Sequence, residues 1–335
     1  MSYPDVLSRV PAELPPLVVT YHYVRPANSD GVTGLTPEAF EAQLIRIGRT
    51  RRFVTAEEFA ESVDRTGSGE PGTALITFDD AVLDQYTHAF PVLRSLGVPA
   101  VFFAPMRPFD SSLPDEQRWT SQHLLHALAE TLGWEELERR VQPHLKMLGF
   151  GVPGGPTLDQ REIDRLYHYE EPRKRRLKYA MAFAISVDDA FDILTSINRT
   201  PSSTGAAPRL CASGWFMNPE HLRELQEAGH SIGGHGFDHA AMGVMSPEQQ
   251  AADLRRAQEL MDRLTGRAWR TMAYPFGSAT PRTEKIARTL GYSLCFTTRD
   301  RVDCKFVDDQ LEREESGGVA LDFKSSTGSL LRRTA

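Results

Sequence analysis

Ala74-Leu75-Ile76-Thr77-Phe78-Asp79-Asp80 is an apolar run that ends in two adjacent carboxylates. The turn-rich stretch Gly67-Ser68-Gly69-Glu70-Pro71-Gly72 precedes it, so the run reads as a short buried strand. Side chains of a strand alternate between its faces, so the two acids cannot point the same way within it. At a strand-to-loop junction they can take different roles, one holding a cation and the other staying free as a base. The competing reading is that Asp79 or Asp80 simply caps the segment that follows.

The flanks repeat the same grammar. Leu17-Val18-Val19-Thr20-Tyr21-His22 reads as a strand ending in a polar residue. Thr36-Pro37 opens a helix with Phe40, Leu44 and Ile47 on its apolar face, and Thr55 with Glu58 forms a capping box for a second helix. Tyr86 to Leu96 reads as a helix interrupted at Pro91 and stopped by Gly97, and Val98 to Ala104 as the next strand. Strand–helix alternation of this kind predicts a parallel α/β architecture.

From Met106 to Arg209 the alternation stops. Leu124 to Leu148 and Glu162 to Ile197 carry helical periodicity, which predicts a largely helical insertion over 106–212, with Thr200 to Pro208 as its flexible exit. Alternation resumes with a helix opened by Asn218-Pro219 and a short strand that delivers His235. A helix from Ser246-Pro247 to Gly266, a strand entering Tyr274-Pro275-Phe276-Gly277, and a further helix and strand complete it. Residues 308–335 are polar and turn-rich, and are expected to form a flexible tail. The whole chain, 1–335, is expected to be one barrel domain carrying that insertion.

His235-Gly236-Phe237-Asp238-His239 places two imidazoles four residues apart, on one helical face or in a compact turn. A carboxylate and two imidazoles form a metal site that leaves coordination positions open. The bland alternative is two ordinary histidines in a glycine-rich loop. Tyr274-Pro275-Phe276-Gly277 makes a rigid turn whose backbone N–H groups suit a developing oxyanion, although such a turn alone says little.

Bulk properties exclude several classes. The 335 residues are 40% hydrophobic and 25% charged, which is ordinary globular composition. A net charge of −7 argues against a nucleic-acid partner, and no apolar run reaches membrane-spanning length. Cys211, Cys295 and Cys304 are too few and too scattered for a disulfide framework or a zinc ribbon, and the N-terminus lacks a secretory pattern. These features predict a reduced, cytoplasmic protein.

Taken together and in this order, Thr77-Phe78-Asp79-Asp80, His235 to His239 and Tyr274 to Gly277 resemble the motifs of the polysaccharide deacetylase family, the metal-dependent carbohydrate N-deacetylases that include chitooligosaccharide deacetylases. The resemblance covers roughly 17–105 and 213–298. It implies an irregular (β/α)7-type barrel with its site at the C-terminal strand ends. It implies Asp79 as general base, Asp80, His235 and His239 as ligands of one divalent metal, and the Phe276 N–H as oxyanion donor. The metal expected is zinc, with cobalt, nickel or iron as alternatives. No histidine follows His239, so the family's late general acid is missing from its usual place. The strand ending in His22 resembles that last-motif strand moved to the front, as in permuted barrels, which would make His22 the acid; a structural histidine at a strand end is the alternative. Three departures stand out: Ala81 where Gly is usual, Gly236 where Ser or Thr is usual, and Ala273 where many members carry an Arg that orients the base. Arg270 is a possible substitute.

Tyr274, Pro275 and Trp215 are candidate substrate contacts, Trp215 because aromatic faces stack on sugar rings. His88, His123, His126, His144, His168, His221 and His230 read as surface or core residues. The charge run Glu170 to Lys178 reads as a solvated helix face, with contact to a substrate phosphate as the alternative. The implied activity is removal of an N-acyl group, N-acetyl foremost, from an amino-sugar-containing small molecule, glycolipid or oligosaccharide, expected to be an intracellular biosynthetic intermediate. A deformylase or cyclic-imide hydrolase on the same fold is one alternative, and a non-catalytic carbohydrate-binding protein with a decayed site another. A homodimer is compatible with the chain, with the insertion as lid or interface.

Overall fold

A computed structural model describes residues 14–29, 31–67, 69–167, 170–201, 205–266 and 271–297. The expected tail over 308–335, Cys304, His168 and Arg270 lie outside the described residues. In chain order the first half runs β1 (Leu17–Tyr21), α1 (Pro37–Gly48), β2 (Arg52–Phe53), α2 (Ala56–Thr66), β3 (Thr73–Asp79), α3 (Phe90–Leu96) and β4 (Ala100–Ala104). Five helices follow: α4 (Ser121–Leu132), α5 (Trp134–Met147), α6 (Gln160–Tyr167), α7 (Pro172–Tyr179) and α8 (Val187–Arg199). The chain then returns to alternation with α9 (Pro219–Glu227), β5 (Ser231–Gly234), α10 (Pro247–Thr265), β6 (Thr271–Ala273), α11 (Pro281–Thr289) and β7 (Leu294–Phe296).

All strand pairings are parallel, in the order β1-β3-β4-β5-β6-β7, with β2 on the start of β3. The sheet curls into a half-barrel, as expected of an irregular (β/α) barrel. Period-two alternation sorts its two faces. Ile76, Phe78, Phe102 and Ile232 point outward and pack under Phe40 and Leu44 of α1, Leu93 of α3, Leu222 and Leu225 of α9 and Ala257 and Met261 of α10. The Phe78 and Phe102 rings stack there at 4.8 Å. Leu75, Val101, Phe103, Leu294 and Phe296 point inward, where Phe59 and Val63 of α2 fill the concavity. With its interior plugged by side chains, the half-barrel leaves the C-terminal strand ends to build a site.

Local signals are kept. Thr36 caps α1, Thr55–Glu58 and Ser246–Gln249 form capping boxes, and Gly97 ends α3 in the left-handed conformation. The interruption expected near Pro91 is a five-residue π-helical segment, Gln85–Ala89, after which Pro91 restarts a regular helix. The two long helical stretches are more broken than periodicity suggested. Gly133, at φ 77° and ψ 154°, separates α4 from α5. Pro172 and the Ser186 cap divide the second stretch into shorter helices. The charge run on α7 is laced by ion pairs: Lys178 to Glu170, Arg173 to Glu138 and Arg175 to Asp164. No helix among the described residues is long and apolar enough to cross a membrane.

One buried histidine ties β4 to the entrance of β5. The Ala100 N–H donates to His230 Nδ1 over 3.2 Å, and burial holds that imidazole down to about 4. The folded value lies below the unfolded one of about 6.5, so the stabilisation is present above pH 6.5 and lost as pH falls through 4. Between pH 7 and pH 4 this group is expected to remove about 2–3 kcal/mol of stability. His230→Asn keeps an acceptor near the Nδ1 position but does not titrate. Its urea midpoint is expected to fall correspondingly less over the same window, and an unchanged pH slope would count against this account.

Candidate active site

β3 delivers Asp79 and Asp80, and the backbone separates them. Asp79 is the last strand residue, beside Phe103 of β4. The chain then turns sharply, with Asp80 at φ 85° and Ala81 at φ 51°. That left-handed pair explains why glycine would be at home at position 81. Here Ala81 accepts the strain while its methyl is fully buried. Neither acid caps the following segment, whose flanking residue is Asp84. Asp79 instead turns towards His22, which follows β1. His22 Nε2 lies 3.7 Å from Asp79 Oδ2, with the imidazole about one-third exposed and the carboxylate buried. Parallel register makes this pairing: Tyr21 sits beside Phe78, so the next residues meet. The buried Gln85 amide joins the two strand ends, donating to the carbonyls of His22 (2.7 Å) and Asp79 (2.5 Å).

Asp80 turns the other way, towards the histidine pair. His239 Nε2 is 3.0 Å and His235 Nε2 3.5 Å from Asp80 Oδ1. The three donor atoms lie within 4.8 Å of one another, and all three residues are buried. The pair sits in a compact turn rather than on a helix. β5 leads into His235, whose N–H bonds the Ala104 carbonyl at 3.1 Å, and His239 adopts φ 56°. Between them, Asp253 of α10 accepts from the N–H groups of Phe237 (2.9 Å) and Asp238 (3.0 Å). Burial and the neighbouring Asp238 push the Asp253 carboxyl up to about 7. Asp238 in turn pairs with Arg107 at 2.5 Å.

The donor set fits a divalent cation. His235 Nδ1 lies 2.8 Å from the Ala273 carbonyl oxygen. A carbonyl can only accept, so Nδ1 carries the proton and Nε2 is a bare lone pair. Burial holds this imidazole down to about 4, hence neutral at pH 7. A lone pair and a carboxylate oxygen thus face each other without a proton between them, and among the described residues no donor meets the buried Asp80 Oδ1 in hydrogen-bond geometry. Such a confrontation is unfavourable unless positive charge lies between the two. Position 273, where an Arg side chain was sought, contributes its backbone carbonyl, which orients the His235 imidazole.

The third motif lies alongside. Phe276 adopts φ 57° within the Tyr274–Gly277 turn, and its ring stands edge-on to His239 at 4.8 Å. Pro275 is buried. The Tyr274 ring is 1% exposed and packs with Met242, Leu254, Met272 and Tyr292, so it belongs to the core beneath the turn. Trp215 is half-buried against the helical segment; its carbonyl accepts from Leu83 N–H at 2.8 Å, which sets it just past the Asp79–Asp80 turn.

Three residues here escaped sequence reading. His123 of α4 is buried and lies 3.4 Å from Asp80 Oδ2, so it is no mere core histidine. It lies just before the stretch from Leu124 that carries helical periodicity, and nothing around it marks a partner. Gln85 and Asp253 act on backbone groups, and nothing in their sequence neighbourhoods marks them.

Asp253 also accounts for Gly236, which adopts φ 72°. A Cβ there would meet Asp253 Oδ1 at 2.9 Å and Met242 Cε at 3.0 Å. Gly236→Ser is therefore expected to cost about 2–3 kcal/mol through left-handed strain and displacement of Asp253. Urea denaturation measures it; a serine variant as stable as the parent would refute the clash.

The family model named Polysaccharide deacetylase matches residues 197–295, a stretch that holds the histidine pair and the Tyr274 turn. "Putative polysaccharide deacetylase YxkH" of Bacillus subtilis is 28% identical over 82 residues, 24% of this chain and 29% of that protein, so the match spans under a third of that relative. Among solved structures, IcaB from Ammonifex degensii aligns at TM-score 0.49 with 21% identity, covering 85% of this chain and 84% of its own. The Streptococcus pyogenes deacetylase PplD in complex with acetate aligns at TM-score 0.49 with 15% identity, covering 87% and 86%. A family model of the same name as the resemblance thus matches the part of the chain that holds its second and third motifs, the histidine pair and the Tyr274 turn.

Proposed function

We propose that this chain is a metal-dependent amide hydrolase that removes an N-acyl group, N-acetyl foremost, from an amino-sugar-containing carbohydrate. The observation that carries the proposal is the buried confrontation of Asp80 Oδ1 with the bare Nε2 of His235, beside a second carboxylate, Asp79, facing a partly exposed imidazole. Asp80, His235 and His239 would hold the cation, zinc in the first instance. The cation supplies Lewis acidity towards the acyl oxygen and makes water more acidic.

The protein's own groups divide the remaining work. Asp79 takes the proton of the attacking water, whose oxygen bonds to the acyl carbon. The Phe276 backbone N–H, assigned by the family resemblance, donates to the oxygen that gains charge. As the C–N bond breaks, the nitrogen keeps its electron pair and is protonated by His22, leaving a free amine and a carboxylate. The Asp79–His22 distance of 3.7 Å supports a base and an acid on one reaction centre, and the exposure of His22 suits a group that must meet substrate.

Elemental mass spectrometry of the purified protein is expected to find about one divalent metal per chain, lost in Asp80→Ala. Asp79→Asn is expected to keep the metal while slowing acetate release from N-acetylated amino-sugar oligomers by about 10²–10⁴-fold. Formate or a ring-opened product instead of acetate would move the assignment to the deformylase or cyclic-imide reading. A chain that takes up no metal after reconstitution with zinc, cobalt, nickel or iron would leave the carbohydrate-binding reading.

A further inference from the structure

His123 enters the site from α4, in the helical segment and outside all three motifs. Its imidazole is 1% exposed and makes two polar approaches: Nδ1 to Thr120 Oγ1 at 2.6 Å, and Nε2 to Asp80 Oδ2 at 3.4 Å. Thr120 is the N-cap of α4, and its hydroxyl oxygen already accepts from the His123 backbone N–H at 3.4 Å. The hydroxyl can still donate to Nδ1 or accept from it; because Asp80 Oδ2 can only accept, a ring proton on Nε2 serves both contacts, with the hydroxyl donating to Nδ1. That leaves the ring proton on Nε2, pointing at Asp80. This is the opposite tautomer to that of His235, whose Nε2 is bare.

The two oxygens of Asp80 are divided between these environments. Oδ1 faces His235 and His239, and Oδ2 faces His123. An edge-on contact with Phe216 at 5.0 Å and another with His239 at 5.2 Å restrict the His123 ring. A donor fixed on one oxygen stops the carboxylate rotating and presents the other to the cation.

We propose that His123 is a positioning residue for the metal carboxylate, holding Asp80 Oδ2 through an Nε2–H bond oriented by Thr120, so that the helical segment helps to set the affinity of the metal site. This rests on the metal-dependent reading above. His123 acts through Asp80 and does not touch the reacting atoms.

The test is zinc affinity, measured by competing metal-free protein against a chromophoric chelator. The wild type, His123→Gln, His123→Asn and the control Asp80→Ala are compared, with thermal melts of each metal-free form. Gln can place an amide N–H near the imidazole Nε2 position, whereas Asn reaches only as far as Nδ1. The Gln variant is expected within about threefold of wild type and the Asn variant about 10–100-fold weaker, with similar melts for the two. Wild-type affinity in the Asn variant, or equal weakening of both, overturns the proposal. If the Asn variant does not fold, the Gln variant decides: retention within threefold supports the proposal, and a larger loss overturns it. Failure of the wild type to bind zinc, or full binding by Asp80→Ala, would overturn the metal reading itself and is a separate result.

Discussion

A carboxylate buried among three imidazoles is the constraint on which the rest of this structure depends. Burial opposes the charge on Asp80, yet His123 and His239 hold its carboxyl well below the usual carboxylate range. Burial also pushes His235 and His239 down, towards their neutral forms. The site therefore sets a carboxylate against nitrogen donors in a dry interior, an arrangement that suits a cation. The imidazoles come from different parts of the chain: α4, the end of β5, and the turn beyond it.

Building that cluster strains the backbone. Five non-glycine residues among those described have positive φ, and four of them are Asp80, Ala81, His239 and Phe276. Such conformations persist only where surrounding contacts over-determine them. Gln85 joins the strand ends before the first turn, and Asp253 gathers the amides of the second. The third turn is closed by Gly277 N–H to the Tyr274 carbonyl at 2.8 Å. Strain and support alternate along the C-terminal rim, while the plugged interior beneath stays regular.

What could be read in the sequence was local or periodic. Strands β3 and β4 announced themselves as apolar runs, and the caps at Thr36, Thr55 and Ser246 marked their helices because the chemistry lies within four residues. The motif residues were legible as an ordered set, and so was the front strand ending in His22, though not its pairing with β3. Gly133 passed unnoticed within a periodic stretch, because one glycine barely disturbs a hydrophobic pattern. His123 was hidden for a different reason: its partner lies 43 positions earlier, and helical periodicity carries no information about which neighbour a buried polar residue will meet. Gln85 and Asp253 serve main-chain groups, which leave no mark on side-chain patterns. Ala273 was misleading in the opposite sense, since its contribution is a carbonyl that any residue would supply.

The placement of His123 also bears on the order of folding. Asp80 emerges early in the chain, but its neighbours arrive 43, 155 and 159 residues later. Loops of that length close slowly, and contacts across them form only when most of the chain has collapsed. A half-barrel whose helical segment has not yet docked would hold Asp80 on one side only. On the metal-dependent reading proposed above, a cation would be captured late, as a clasp on a nearly finished structure rather than a seed for it, and metal content would become a gauge of complete folding.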